Sequence, residues 1–334
     1  MKAVLIREQG DPSVLEYTDV EEPTAAHGEV LMRVRAVSIN RLDLYTRAGI
    51  RGTRLKPEQM PRILGGDSAG EIAGLGEGVS GHAVGERVVI NPLITTDPFP
   101  QMVGTHQDGS YAELVSVPAT NVVAIPDSLS FEQAAALPTV FLPSWGIVVR
   151  EGRLQAHETA MVLSASSGVG TAAIQLIKGV VGATCIAVTS TPEKVQKAYD
   201  LGADHAINYT DEDLAERCKE LTHGKGADLV VDSSGAHFFE AAFGGLARGG
   251  RYGNCGVTMG YQAQIHLGQL FSKQLRVFGV FMGSTEELGE IVAAAGRGQI
   301  KSAIHASYPL AEAARAHEEM ERAEHFGKFV LTVG

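Results

Sequence analysis

"MVLSASSGVG", residues 161–170, is an apolar run that stops at a cluster of small residues. It opens into the amphipathic "TAAIQLIKGVVGA", 171–183. This reads as strand, tight turn and helix, the arrangement in which helix N-terminal amides receive a pyrophosphate. Of the dinucleotide fingerprint G-x-G-x-x-G only Gly170 is a glycine, because Ala165 and Ser167 hold its first two glycine positions. Alanine and serine are the next smallest side chains, and a serine hydroxyl adds a donor for phosphate oxygen. The competing reading is an ordinary strand-to-helix turn. The context favours phosphate: the turn opens a run of strand–helix units, and the next strand ends about twenty residues on, where a ribose-reading residue is expected.

Working outward, "ATCIAVTS", "HAINY", "ADLVVDSS", "GRYGNCG" and "LRVFGVFM" read as strands. Between them lie helical patterns such as "TPEKVQKAYDLG" and "DEDLAERCKELTHG". Apolar strands separated by helices predict a doubly wound, parallel α/β (Rossmann) domain over 124–285. Before residue 124 the texture differs: "KAVLI", "EVLMRVRAVSI", "AGEIAGLG", "ERVVI" and "YAELVSV" are short alternating runs broken by Gly and Pro. That predicts a mainly β, partly barrel-shaped domain over 1–123. Residues 286–334 supply a helix and a last strand, too little for a domain, and are expected to return and complete the first one.

The chain has 334 residues, 44% hydrophobic, with 28 Lys+Arg against 39 Asp+Glu and a net charge of −11. That balance repels a phosphate backbone, so nucleic acid is not an expected partner. The apolar stretch before Arg7 is too short for a signal-peptide core or a membrane span, and no membrane partner is expected. Cys185, Cys218 and Cys255 form no C-x-x-C pair, so neither a disulfide framework nor a cysteine zinc site is indicated. A cytoplasmic, reducing location is the expectation.

In this order, "MKAVLIREQGDPSVLE", "SINRLDLYTRAG", "ILGGDSAGEIAGLGEGVSGHAVGERVV", "GSYAELVSVP", "AAALPTVFLPSW", "ASSGVG", "LGADHAINY" and "GKFVLTVG" span essentially the whole chain. Together they resemble the medium-chain dehydrogenase/reductase superfamily, most closely its zinc-free, zeta-crystallin-like quinone oxidoreductase branch. The resemblance implies a GroES-like catalytic domain completed by the C-terminal segment, a Rossmann domain between, a nicotinamide cofactor and a homodimer. It also implies that Ser166, Ser167, Gly168, Val169 and Gly170 form the phosphate turn, with Gly168 keeping the close backbone approach that Ser167 departs from.

Zinc-dependent members carry a cysteine in a G-x-C-H-x-D stretch and a histidine in G-H-E; here Asn40 and Gly66 align with them, and Asp67 with the glutamate. Neither Asn40 nor Gly66 offers a thiolate or imidazole, and "LITTDPFPQMVGTHQDGS" lacks the cysteines of the structural-zinc lobe. No metal is expected, and His82 and His106 read as solvated loop residues. Without a Lewis acid, hydrogen-bond donors must stabilise the negative charge that hydride addition leaves on a quinone or α,β-unsaturated carbonyl. By family position these donors are Asn40 and Tyr45; the alternatives are a turn-stabilising amide and a half-buried packing ring. Asp43 and Arg47 read as a buried pair or surface hydrogen bonds, and Lys328 as structural.

For the cofactor, the resemblance implies Thr139 near the nicotinamide, Tyr209 by the adenine, and Gly256 and Phe281 along the nicotinamide ribose and carboxamide. Thr139 could instead bond within its own helix, and Tyr209 and Phe281 could be packing residues. "AVTSTPEK" has no acid until Glu193, while Ser190 and Lys194 suit a 2′-phosphate, so NADPH is expected over NADH. Thr191 and Pro192 read at the same time as a helix cap. The acceptor is open between quinone, enone and simple ketone, and alcohol dehydrogenase activity or cofactor binding without turnover are the rival functions. The cleft lining is expected near 50–61 and 93–108, of which "IRGTRLKPEQMP" is basic and reads first as plainly solvated, with an anionic substrate as the alternative.

Overall fold

A computed structural model describes residues 1–95 and 99–334; residues 96–98, within the 93–108 stretch expected at the cleft, lie outside the described residues. The chain divides into two compact units, one of residues 1–139, 284–296 and 304–334, the other of 140–283 and 297–303.

In the first unit, β1 (Lys2–Ile6) pairs with β2 (Glu16–Asp19). The long β3 (Glu29–Ile39) buries Val30, Met32 and Val34 on one face and exposes Arg33 between them. This is the alternation of a half-buried strand. α1 (Arg41–Ala48) follows, starting at Asn40 in extended backbone and ending at Gly49 with φ 70°, whose N–H reaches the Tyr45 carbonyl. Glycine takes that left-handed position without a Cβ clash. β4 (Arg62–Ile63) pairs with β1, and β5 (Asp67–Leu75) pairs antiparallel with β3. β6 (Arg87–Ile90), a short hairpin of β7 (Leu93–Ile94) and β8 (Gln101–Met102), β9 (Leu114–Pro118) and β10 (Val122–Ala124) complete the strands before the helices.

α2 (Phe131–Ala135) is capped by the Ser130 hydroxyl, which accepts from Gln133 N–H. It packs on β3, β5 and β6, so residues 124–139 join the first unit rather than the second as the sequence suggests. α2 buries Ala134 and Ala135 against the β core, and Ala136 and Leu137 in the turn after it are buried as well.

α3 (Pro138–Trp145) leads into the second unit. There β11 (Thr159–Val162), α4 (Gly168–Gln175), β12 (Thr184–Thr189), α5 (Pro192–Asp200), β13 (His205–Asn208), α6 (Leu214–Leu221), β14 (Ala227–Asp232), α7 (Ala236–Gly244), β15 (Leu246–Asn254), α8 (Leu267–Ser272) and β16 (Arg276–Gly279) alternate as expected. The six strands are all parallel in the order β13-β12-β11-β14-β15-β16. Every residue of β14 is buried, because helices cover both faces. The order reverses beside β11, so the turn after β11 lies at the switch point where open α/β sheets bind ligands.

α9 (Thr285–Gly296), β17 (Ile304–Pro309), α10 (Ala313–Glu321) and β18 (Lys328–Thr332) return to the first unit, where β18 pairs antiparallel with β3 and parallel with β17. Residues 297–303 stay with the second unit: Lys301 N–H donates to Gln175 and the Gln299 amide to the Gly179 carbonyl.

Candidate active site

The turn after β11 is built as its small residues require. Ser164 has φ 50°, and Ala165 N–H donates to the Val188 carbonyl of β12 at 2.9 Å. A Cβ on Gly170 would lie 2.4 Å from the Ser164 carbonyl oxygen and 2.6 Å from Ala165 Cα, so only glycine lets α4 start this close to the strand. The Ser167 hydroxyl accepts from Gly170 N–H at 3.0 Å as the helix cap, which leaves its own proton to donate. Ser166, Ser167, Gly168 and Val169 are half-buried, whereas Ala165 and Gly170 are buried. Partly accessible amides and a hydroxyl at a helix N-terminus fit a dinucleotide phosphate.

Nearby strand ends carry the other expected cofactor residues of this unit. Tyr209 follows β13, with its N–H on the Thr189 carbonyl and its ring edge-to-face with Phe238 at 4.8 Å. Thr191 caps α5 by accepting from Lys194 N–H at 3.2 Å, Pro192 opens the helix, and Glu193 pairs with Lys197 one turn on. Ser190 and Lys194 are both half-buried. A Cβ on Gly256 would meet the Ser233 carbonyl oxygen at 2.5 Å. Phe281 is 66% exposed and therefore not core.

Sequence reasoning missed the hub of this edge. Asp232, fully buried at the end of β14, accepts from Ser234 and Gly235 N–H, the Ser234 and Tyr252 hydroxyls and the Asn254 amide. The Asn254 amide also donates to the Gly256 carbonyl at 2.8 Å. The signal was an acid closing the otherwise apolar "ADLVVD".

In the first unit, Asn40, Asp67, Thr139 and Lys328 form one buried network. Asn40 Nδ2 donates to Asp67 Oδ2 at 2.9 Å, and Thr139 Oγ1 donates to Asp67 Oδ1 at 2.7 Å. The Lys328 ammonium donates to Asn40 Oδ1 and, at 2.7 Å, to the Ile39 carbonyl. Ammonium on one side and carboxylate on the other set the orientation of the Asn40 amide. Both of its polar ends are spent, which argues against the donor role read from sequence and for a positioning role. Thr139 is likewise committed to Asp67 rather than to its own helix.

Asp43 accepts Asn40 N–H at 2.7 Å and lies in the same field. Burial pushes its carboxyl up to about 7, and the Asp67 charge adds to the rise. Burial also raises Asp67 and lowers the Lys328 ammonium, while Lys328 and Asp67 hold each other charged. Arg47 does not pair with Asp43: it reaches Gly10 O, His317 Nδ1 and Glu321. Since guanidinium only donates, His317 Nδ1 accepts and Nε2 carries the proton toward the Tyr111 hydroxyl at 2.9 Å. Burial and Arg47 push the His317 imidazole down to about 3. Tyr45, one turn along α1, is half-buried and makes no hydrogen bond through its hydroxyl to another described residue; Arg51 lies over its ring at 5.0 Å.

A catalytic zinc does not fit this donor set. A Cβ on Gly66 already meets the Val103 carbonyl oxygen at 3.2 Å and Pro92 Cβ at 3.3 Å, which leaves a histidine no ordinary space. Asn40 offers an amide oxygen already held by an ammonium, whose charge repels a dication. Among the described residues no group of three or more His, Cys, Asp or Glu is arranged to hold a metal. His82 instead pairs with Glu86, and His106 Nδ1 accepts from Met102 N–H.

Residues 168–296 match the family described as zinc-binding dehydrogenase, and residues 26–127 the alcohol dehydrogenase GroES-like domain. A quinone oxidoreductase from Pseudomonas aeruginosa is 32% identical across 99% of this chain and 99% of its own length. An NAD-dependent alcohol dehydrogenase from Sulfurisphaera tokodaii is 29% identical with the same coverage of both chains. Among solved structures, an NAD-dependent alcohol dehydrogenase superposes with a TM-score of 0.94 at 37% identity, covering all of both chains.

Proposed function

Because the chain belongs to the medium-chain dehydrogenase/reductase superfamily and is an oxidoreductase by that membership, we propose that it is a zinc-independent, NADPH-dependent reductase of quinones and α,β-unsaturated carbonyls. The observation that carries this reading is the Asn40–Lys328–Asp67 network, in which an amide takes the cysteine-ligand position and is held between an ammonium and a carboxylate. Such a site lacks the Lewis acid that a simple ketone or alcohol calls for. Quinones and enones need less polarisation, since their developing charge is delocalised.

When bound, the reduced nicotinamide supplies the hydride. The chain's own part is binding and proton management. Ser166, Ser167, Gly168, Val169 and Gly170 hold the pyrophosphate with amides and a hydroxyl. Ser190 and Lys194 meet the 2′-phosphate; Tyr209 borders the adenine, and Gly256 and Phe281 the nicotinamide end. Lys328 holds Asn40 and neutralises Asp67, which fixes Thr139. The Tyr45 hydroxyl orients the acceptor's oxygen and gives it a proton, since it makes no hydrogen bond to another described residue.

A homodimer through β16 accompanies this reading. β16 is the last strand of its sheet, and Leu267 and Phe271 of α8, Val277 of β16 and Phe281 beyond it are all exposed. An open strand edge flanked by apolar side chains suits a second copy of the same edge.

The test is steady-state turnover of a quinone, an enone and a simple ketone with NADPH, before and after exhaustive chelation. Quinone and enone reduction that survives chelation, with little ketone turnover, is expected. Ketone or alcohol turnover abolished by removing stoichiometric zinc overturns the reading.

A further inference from the structure

We propose that Asn254 reads the nicotinamide riboside of the dinucleotide, its side-chain oxygen accepting a hydrogen bond from the carboxamide N–H or a ribose O–H of that half. The inference rests on the cofactor assignment of the reductase reading and adds a residue outside those read from the sequence.

Its place follows from the sheet. A dinucleotide lies across the switch point with one half to each side. The phosphate turn follows β11, while Ser190 and Tyr209, assigned to the adenosine half, follow β12 and β13 on one side of it. The nicotinamide half therefore falls to the opposite side, where β14 ends at Asp232 and β15 at Asn254. These two residues are register partners in the parallel pair.

The partners of the Asn254 amide set its orientation. Nδ2 donates to Asp232 Oδ2 and to the Gly256 carbonyl, both at 2.8 Å. A carboxylate and a carbonyl only accept, so the nitrogen faces them and both of its N–H groups are spent. Oδ1 is thereby turned away from both. It takes no hydrogen bond from another described residue and is not sealed from solvent, since Asn254 is only half-buried.

The frame around this amide is rigid. Asp232, fully buried, also accepts Ser234 N–H at 2.7 Å, the Ser234 hydroxyl at 2.6 Å and the Tyr252 hydroxyl at 2.9 Å. Cys255 N–H donates to the Asp232 carbonyl at 2.9 Å, Met259 N–H to the Ser234 carbonyl at 2.7 Å and Ala236 N–H to the Gly260 carbonyl at 3.1 Å. A Cβ on Gly235 would lie 2.3 Å from the Gly260 carbonyl oxygen, and one on Gly256 2.5 Å from that of Ser233. The segments after β14 and β15 thus interlock backbone against backbone. An acceptor fixed on such a frame binds without the cost of ordering its side chain, and a nicotinamide riboside supplies the N–H and O–H donors it lacks.

Calorimetric titration of the whole protein tests this with NADP⁺ and with adenosine 2′,5′-bisphosphate, which lacks the nicotinamide riboside. Three analogues of NADP⁺ complete the series: the 3-acetylpyridine dinucleotide, with methyl in place of the carboxamide nitrogen, and those deoxygenated at either hydroxyl of the nicotinamide ribose. Asn254→Ala should weaken NADP⁺ by about three- to tenfold, the worth of one net hydrogen bond, and the bisphosphate by less than about 1.5-fold. In wild type one analogue should bind about threefold or more weaker than NADP⁺; in Asn254→Ala it and NADP⁺ should bind within about 1.5-fold of each other, the contact being already lost. Which analogue behaves so names the donor. Losses that simply add for all three make Asn254 a brace for Gly256 and overturn the contact, as does a variant that binds NADP⁺ like wild type. Asn254→Leu, which fills the position without an acceptor, carries the same comparison if the alanine variant does not fold. If wild type binds NAD⁺ the more tightly, the series is run on NAD⁺ and adenosine 5′-diphosphate, because the 2′-phosphate lies on the other half. A wild type that binds neither dinucleotide overturns the contact and the cofactor assignment together. One that binds them but reduces no quinone or enone loses the reductase reading alone, and the titrations still decide the role of Asn254.

Discussion

Replacing Lys328 by methionine tests the buried network most directly. The ammonium donates to Asn40 Oδ1 and the Ile39 carbonyl, and faces Asp67 and Asp43, which are 0% and 3% exposed. Methionine keeps most of the volume but leaves both carboxylates without their cation. Removing one partner from a buried charge pair costs about 3–5 kcal/mol, because the remaining charge is uncompensated. The carboxylates can escape only by taking up a proton. Against an unfolded pKa of about 3.9, holding one proton costs roughly 5–6 kcal/mol at pH 8 and about 1.5 kcal/mol at pH 5. At pH 8 protonation is the costlier route, so the loss is about 3–5 kcal/mol, whereas at pH 5 protonation limits it to about 1–2 kcal/mol. The sign follows from carboxyls whose folded pKa is raised: their stabilising contribution is full below about pH 4 and is lost as pH rises through the folded value. Urea unfolding of wild type and variant at both pH values measures this. Lys328→Met combined with Asp67→Asn should recover part of the loss, as residues in one network are non-additive. A destabilisation under about 1 kcal/mol at pH 8, or one equal at the two pH values, would refute the assignment of Lys328 as counter-ion.

Wild type should prefer NADPH over NADH by ~10- to 100-fold in kcat/KM, roughly 1.4–2.8 kcal/mol, and Ser190→Asp should erode or invert that ratio by adding a carboxylate against the 2′-phosphate. Equal use of both cofactors by wild type removes Ser190 and Lys194 from phosphate recognition. Phe271→Lys should turn a dimer into monomer in light scattering, whereas a wild type that is monomeric at tens of micromolar contradicts the β16 interface. His317, depressed to about 3, contributes stability that is full above about pH 6.5 and is lost as pH falls toward 3, up to on the order of 5 kcal/mol. His317→Gln should flatten that acid limb in pH-dependent unfolding midpoints, and an unchanged slope would place the acid sensitivity elsewhere.

The second unit was legible because its signals are local. The central strands β11, β12 and β14 are short runs buried along almost their whole length, and several helices begin with a side-chain cap, as at Ser167, Thr191 and Asp213. Gly170 could be singled out for the same reason: the helix approaches a strand only a few residues earlier in the chain. The first unit was legible as β from its alternation. Where it ends was not, because α2 is claimed by β3, β5 and β6, and a helix pattern does not say which core its apolar face will meet.

The site chemistry divides in the same way. The absence of thiolate and imidazole at Asn40 and Gly66 is a matter of residue identity, so the sequence alone decides what the position cannot offer a metal. What stands there instead was decided by tertiary structure. Asn40 and Lys328 are 288 positions apart and meet only because β18 pairs with β3, which carries the ammonium to the start of α1. Charge neutralisation in a buried site depends on distance through space and on exclusion of water, and neither is encoded in local spacing.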